Sequence, residues 1–444
     1  MIGRNAALPL HLTSATLLRV SAEGVATALV LTVQARTGNA ATAGYLQTAM
    51  TLPYVLSGPV IGHALDRVGR PRRVAVALAA GYAVGTALLL ATAGRSPLVL
   101  ALLVAAVIGC TEPIVVALTS LLPRFVPPGR LSRAYGLEAS SYNLAAIAGP
   151  GLAAGLASLA GGQYAGAAIV AAAVAGVLAL PLLPLPGPGR PPPADAGTDT
   201  SADAGRDTPA VPVTAASANP GTDPGATADA DPGARRGVLS VVAGGLVVLA
   251  EGRVLRALTA ATTLAWMGFG GVAVTAVLLA EHIGAEPSAG GQMLVALAVG
   301  SLIGSLASSR WLTPKHGETV MIVGLAAFGA SLAALAVAPS LPWATAAFVA
   351  AGVSEGPVFA ATLMLRQRES PPDRLGQVNT TAGSLKIGAS AVGAALTAAS
   401  AAAIGPVGLV LAIAGFQFAG AAAGLVLLRV PAGEKPVDPV KRGT

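Results

Sequence analysis

Apolar runs of twenty or more residues recur from one end of this 444-residue chain to the other, separated by short loops that gather the positive charge. Coiled into a helix, a run of that length matches the hydrocarbon core of a bilayer. With 54% of residues hydrophobic and 11% charged, no soluble core could absorb so much apolar surface, so the chain needs lipid as its solvent. In lipid every backbone amide needs an internal partner, which leaves helices or a closed barrel, and runs this long select helices. Cys110 is the single cysteine, which excludes an internal disulfide and a cysteine-based metal cluster. The net charge of +7 sits between apolar spans rather than on one soluble face. It is read as membrane orientation, and no nucleic-acid partner is expected.

Six spans fall over about 12–35, 41–63, 74–94, 97–121, 135–160 and 163–183, and six more over 257–280, 288–309, 319–338, 342–365, 375–402 and 405–428. The first resembles a signal peptide in position, but the many spans behind it mark it as an uncleaved helix. Residues 184–236, rich in Pro, Ala, Gly, Asp and Thr, cannot bury enough apolar surface to fold and read as a disordered cytoplasmic linker. The apolar stretch from Gly237 to Ala250 is too short to span, so 237–256 is expected to be an interfacial helix. The plan is an N-terminal six-helix bundle over 1–183, the linker, that helix, a C-terminal bundle over 257–430 and a tail over 431–444. All but four of the 27 lysines and arginines lie on one side; Arg36 and Arg95 lie opposite, and Arg19 and Lys386 fall inside spans. Both termini are therefore expected in the cytoplasm.

The two halves echo each other in sequence. Gly109, Thr111, Glu112 and Pro113 recur, with one inserted residue, as Gly352, Ser354, Glu355 and Pro357. The register continues from Arg124 to Arg368, from Pro127 and Pro128 to Pro371 and Pro372, and from Arg130 to Arg374. Parallel repeats of six spans are a transporter architecture.

The loop after the second span reads Gly-His-Ala-Leu-Asp-Arg-Val-Gly-Arg-Pro-Arg-Arg, from Gly62 to Arg73. Gly62, Asp66, Arg67, Gly69, Arg70 and Arg73 match the signature loop between helices 2 and 3 of the major facilitator superfamily, and the chain resembles a drug-efflux-like bacterial branch of it. The resemblance implies an all-α membrane protein of twelve transmembrane helices in two bundles that rock about a central site. It also implies that Asp66 meets the N-terminus of helix 11, just after Pro371-Pro372-Asp373, as a conformational latch on that helix dipole. The corresponding loop of the second half, Ser308 to Gly317, carries no aspartate. Gly149-Pro150-Gly151 and Gly155 are similar to part of an element of antiporter branches. Small residues there, with the bend of Pro150, suggest a flexing contact between the halves.

Ionisable groups inside spans are expensive and mark function by default. Arg19 and Glu23, four residues apart, are expected to pair on one helix face, either as a self-neutralising structural pair or as a substrate or proton site. Glu112 beside the helix-bending Pro113 is a further candidate, whereas Glu138, near the start of its helix, reads as a dipole cap. Glu23, Glu112 and Glu355 lie about 17 Å from the cytoplasmic ends of their helices, close to mid-bilayer, and Lys386 falls slightly deeper. The resemblance places helices 1, 4, 7 and 10 on the cavity wall, which would put Arg19, Glu23, Glu112 and Glu355 there. Burial favours the protonated form of a carboxyl and a nearby cation opposes it, so a change of surroundings can load and unload a proton at Glu112, Glu355 or both.

These features point to a secondary active transporter of the bacterial plasma membrane, a monomer that needs no cofactor or metal and takes a small-molecule substrate and protons. Proton-coupled efflux of small amphipathic molecules or drugs leads. Uptake or facilitated transport of a sugar or other small metabolite is the alternative, set back by a seventh span that offers little beyond Thr262, Thr263 and Trp266 to match hydroxyls. A membrane enzyme would need a clustered catalytic set, and His11, His63, His282 and His316 are scattered. A rigid receptor would need no buried carboxylates, and no Walker-type loop supports ATP hydrolysis.

Overall fold

The structure is a computed structural model that describes residues 6–37, 41–183, 238–286 and 289–430. The linker expected over 184–236 and the tail over 431–444 lie outside the described residues. Among those described, the fold is all helical. The N-terminal half holds α1 (Ala7–Thr37), α2 (Ala41–Arg67), α3 (Pro71–Thr92), α4 (Leu98–Thr111) continued by the one-turn α5 (Ile114–Ala117), α6 (Leu131–Ala160) and α7 (Gly162–Ala179). A helix α8 (Val238–Ala250) precedes the second half. That half holds α9 (Arg253–Phe269), α10 (Val272–His282), α11 (Ala289–Trp311), α12 (Gly317–Ala333), α13 (Leu341–Glu369) and α14 (Leu375–Arg429).

Twelve spans follow once two breaks are read correctly. Pro113 interrupts the fourth span, which resumes as α5 and ends in a 3-10 stretch, Leu118–Arg124. Proline lacks the amide that would carry the ladder across. The seventh span, expected as one helix over 257–280, is a pair, α9 and α10, bent by 42° at Gly270-Gly271. Conversely α14 is two spans: Gly405, at φ 65° and ψ 178°, adopts a backbone open to glycine, and Pro406 starts the return helix.

Two helices, α2 and α6, are long enough to cross, at 27 and 30 residues or about 40 Å, yet do not read as lipid-facing runs. They are the helices that meet the other half, α2 against α14 and α6 against α11. At these contacts Asp66, Ser140 and Asn143 meet protein rather than lipid.

The sequence repeat is also a packing repeat. A side chain on Gly109 would strike the Met50 carbonyl of α2, and one on Gly352 would strike the Leu297 carbonyl of α11. Each half thus seats its repeated glycine on the backbone of its second helix, a close approach only a bare Cα permits. Separate apolar clusters fill the two halves, one around Leu18, Leu46 and Ile108, the other around Met293, Phe328 and Phe348.

The stretch expected as an interfacial helix forms α8 and is set against protein. Its Val248 and Leu249 cluster with Leu255, Val378 and Ala382, and Gly245 abuts Thr381.

Candidate functional site

The basic end of the bundle is shut by two seams between the halves. In the first, the Asp66 carboxylate accepts hydrogen bonds from the backbone amides of Gly376 and Gln377, both 2.8 Å. These amides lie in the first turn of α14, where helix donors have no partner of their own and the dipole favours a negative charge. Gly62, one turn back on α2, lies against the Gly376 carbonyl and the Thr380 side chain, so no larger residue fits. Arg124 donates to the Leu65 carbonyl at 3.3 Å and adds a positive charge near Asp66. Arg67, Gly69, Arg70 and Arg73 are exposed.

In the second seam α6 meets α11. A Cβ on Gly136 would come within 2.5 Å of the Ser309 Cα. Ser140 and Ser305 share a hydrogen bond of 3.0 Å, and Asn143 donates to Ser305 at 3.3 Å.

Arg19 does not pair with Glu23. Its guanidinium donates to Glu138 at 2.6 Å and Thr119 at 3.1 Å, also bonds Ser141, and lies 3.6 Å from the centroid of the Tyr142 ring. His11 completes the group at 3.3 Å from Glu138. The expected capping role of Glu138 fails because α6 starts at Leu131 rather than Tyr135, which carries Glu138 about two turns into the helix and away from the dipole end. The local Arg19–Glu23 pairing fails because a carboxylate on another helix, with hydroxyls around it, satisfies the fork of Arg19 better than a neighbour on its own helix. Arg19 and Glu138 are 1% and 0% exposed, so this network ties α1, the fourth span and α6 together behind Tyr142.

Glu23 is left accessible, though ringed by protein, and faces another carboxylate. Its charge acts on Glu112, and both act on the hydroxyls of Tyr54 and Tyr82. Tyr82 shares a hydrogen bond of 3.1 Å with Ser21 of α1. Glu112 is the last residue before the Pro113 break, so its carboxylate sits where the span changes course.

In the other half Glu355 accepts a hydrogen bond from Ser301 of α11 and senses the charge of Lys386. Tyr54 lies four residues after Met50 as Ser301 lies four after Leu297, so the repeat carries a hydroxyl-bearing residue as well as a glutamate in each half. The Lys386 ammonium lies 5.1 Å from the Trp266 ring and 5.3 Å from the Phe359 ring. Glu355, Lys386, Trp266, Phe359 and Thr362 line one pocket. Across the seam Phe359 meets Tyr142 edge-on at 5.2 Å.

Sequence reasoning missed Arg366, placed in the loop after the tenth span. It is 4% exposed within α13. The signal was present: Glu355, Phe359, Thr362 and Arg366 are spaced as one helix face. The contact expected between the halves at Gly149 is also corrected. Gly149 packs on Val20 and Gly24 of α1, inside its own half, and side chains added at Gly151 or Gly155 would meet open space. α6 runs unbroken through Pro150. Among the described residues no group of three or more His, Cys, Asp and Glu is set to hold a metal ion.

Comparison with known proteins agrees with this architecture. The family described as Major Facilitator Superfamily matches over residues 12–250 and 258–443. An uncharacterized MFS-type transporter, y4rN, of Sinorhizobium fredii (strain NBRC 101917 / NGR234) is 26% identical over 392 residues, covering 87% of this chain and 86% of that protein. Among solved structures, the human organic anion transporter MFSD10 (TETRAN) superposes with a TM-score of 0.73 at 15% identity, covering 96% of this chain and all of that one. A bacterial homologue of the iron transporter ferroportin in an outward-facing state gives 0.67 at 14% identity, covering 95% of this chain and 98% of that one.

Proposed function

The chain belongs to the major facilitator superfamily and is a multi-pass membrane transporter of the alternating-access type, and from that premise we propose that it exports small amphipathic molecules in exchange for protons. The observation that carries this reading is the placement of Glu23 and Glu112 within charge range of each other, in a bundle whose basic end is tied shut by Asp66. Two like charges there repel, and taking up one proton removes that repulsion. The positive-inside rule assigns the basic end to the cytoplasm of a bacterial plasma membrane, with both termini inside. The conformation is then closed inward, with the carboxylates reached from outside.

In this cycle a proton from outside enters between Glu23 and Glu112, the two halves rock, the Asp66 seam parts, and the proton leaves to the cytoplasm as substrate enters. Asp66 sets the balance between the two states without touching substrate. Each chain carries its own cavity, so a monomer suffices. The buried charges distinguish this from a sugar facilitator, whose site is built on hydroxyl-matching side chains.

The test is proton movement in proteoliposomes under an imposed pH gradient, with a panel of lipophilic amines, aromatic acids and sugars. Substrate-triggered proton flux that disappears in Glu112→Gln supports the reading. A labelled sugar that equilibrates with no proton movement overturns it in favour of facilitated uptake.

A further inference from the structure

The charge balance on the wall of the second half is uneven. Lys386 and Arg366 are 6% and 4% exposed, and Arg366 acts on Lys386 as a like charge. The carboxylate that acts on Lys386, Glu355, is already engaged by Ser301. Arg366 has two buried nitrogens, Nε and Nη2, without a hydrogen-bond partner. A guanidinium stays charged at any accessible pH, so burying it with donors unmade is among the costlier arrangements a protein can hold. Arg19, buried to the same degree, has a carboxylate and two hydroxyls, Glu138, Thr119 and Ser141, on its guanidinium and only its Nε unmade.

The surroundings specify what would fit. On α13, Phe359, Thr362 and Arg366 follow one another at three- and four-residue steps, so the arginine stands one turn beyond the pocket wall at Thr362. Lys386 reaches the same wall from α14, between the faces of Trp266 and Phe359. Two cations beside flat apolar surfaces make a receptor for an anionic head on a hydrophobic body.

We propose that this wall binds the carboxylate of an amphipathic organic acid between Arg366 and Lys386, with the apolar body of the acid against Trp266 and Phe359. Thr362 supplies a neutral polar edge beside the carboxylate. Glu355, bonded to Ser301, acts on Lys386 through its charge alone, which leaves the ammonium's hydrogen bonds to the ligand. The inference rests on the cavity being the substrate path and narrows the substrate from amphipathic molecules in general to amphipathic anions.

Binding, measured apart from transport, tests it. The full chain in phosphatidylcholine nanodiscs is titrated calorimetrically at pH 7 with 2-naphthoate, its neutral amide and 2-naphthylmethylammonium. The carboxylate should bind at least about tenfold more tightly than the amide, the difference one charged hydrogen-bonding contact makes, and the amine should bind weakest. Arg366→Gln and Lys386→Gln should each weaken the carboxylate by about tenfold or more and leave the amide unchanged, and Arg366→Lys should recover part of the loss. Equal binding of acid and amide, tighter binding of the amine, or folded Gln variants with unaltered selectivity would overturn the site. Should a Gln variant not fold, the comparison of acid with amide on the unaltered protein still decides. Charge-selective binding without any proton-coupled movement in proteoliposomes would retain the site and sink the transport reading. Proton-coupled movement of amines with no preference for the acid would do the reverse.

Discussion

Arg19 and Glu138 meet at 2.6 Å with side chains 1% and 0% exposed. The pair lies across 119 residues of sequence and joins α1 to α6, with Thr119 of the fourth span donating to the same carboxylate at 2.8 Å. Removing one partner leaves the other charge buried and alone, which costs about 3–5 kcal/mol. Glu138→Gln is therefore expected to lower the unfolding temperature of the detergent-solubilised protein sharply, and Glu23→Gln to leave it close to the parent. Equal effects from the two substitutions would restore the pairing that sequence spacing suggests.

Asp66 should act on the balance of states rather than on substrate affinity. Its two bonds to the Gly376 and Gln377 amides exist only when the halves meet at the basic end. Asp66→Asn keeps the shape but gives up the charge and presents a donor to donors, an expected shift of about 1–2 kcal/mol toward the open seam. The check is thiol labelling of Ser384→Cys in a Cys110→Ser background, since Ser384 is buried beside Gly58 in this seam. Labelling should speed up about tenfold with Asn at 66, and an unchanged rate would remove Asp66 from the gate.

The second seam offers an independent handle. At Gly136 even a methyl group would press on the Ser309 backbone at 2.5 Å, whereas at Gly151 it would enter open space. Gly136→Val should open the basic end as Asp66→Asn does, by steric exclusion rather than lost charge, and Gly151→Ala should be silent. Combined in one protein, Gly136→Val and Asp66→Asn should shift the equilibrium by about the sum of their separate free energies, because the two seams share no residue and both bias one two-state equilibrium.

What could be read from the sequence were the features written along one helix or one loop. The span count and the glycine, glutamate and proline repeat follow from order and spacing, and the proximity of Asp66 to the start of α14 follows from the resemblance of Gly62 to Arg73 to the superfamily's signature loop. What could not be read were partners fixed by how helices cross. Arg19 had a neighbour at the right spacing for a pair, and only the crossing of α1 and α6 shows that the better acceptor is Glu138. Arg366 sits among the charges that mark a helix end, Arg368 and Glu369, and α13 runs on to Glu369 because Arg368 finds Glu318 and the Pro314 carbonyl at the surface. Gly149 looked like a joint between halves because small residues permit close approach, but spacing does not say to which helix.

Gln377 links the gate to α8. Its backbone amide donates to Asp66, and its side-chain amide donates to the Val241 carbonyl of α8 at 2.8 Å. When α14 moves away from α2, that second bond must break or α8 must travel with α14. The apolar contacts of Val248 and Leu249 with Val378 and Ala382 favour the second course, because they bind α8 to the helix that moves. Gln377→Leu removes the side-chain bond while keeping the backbone bond to Asp66, so it should loosen α8 by about 1 kcal/mol and leave the Asp66 seam intact. Hydrogen exchange separates the two: amides of α8 should exchange several-fold faster in the variant, and those of Gly376 and Gln377 at the parent rate. Faster exchange at both places would mean that α8 itself holds the gate shut.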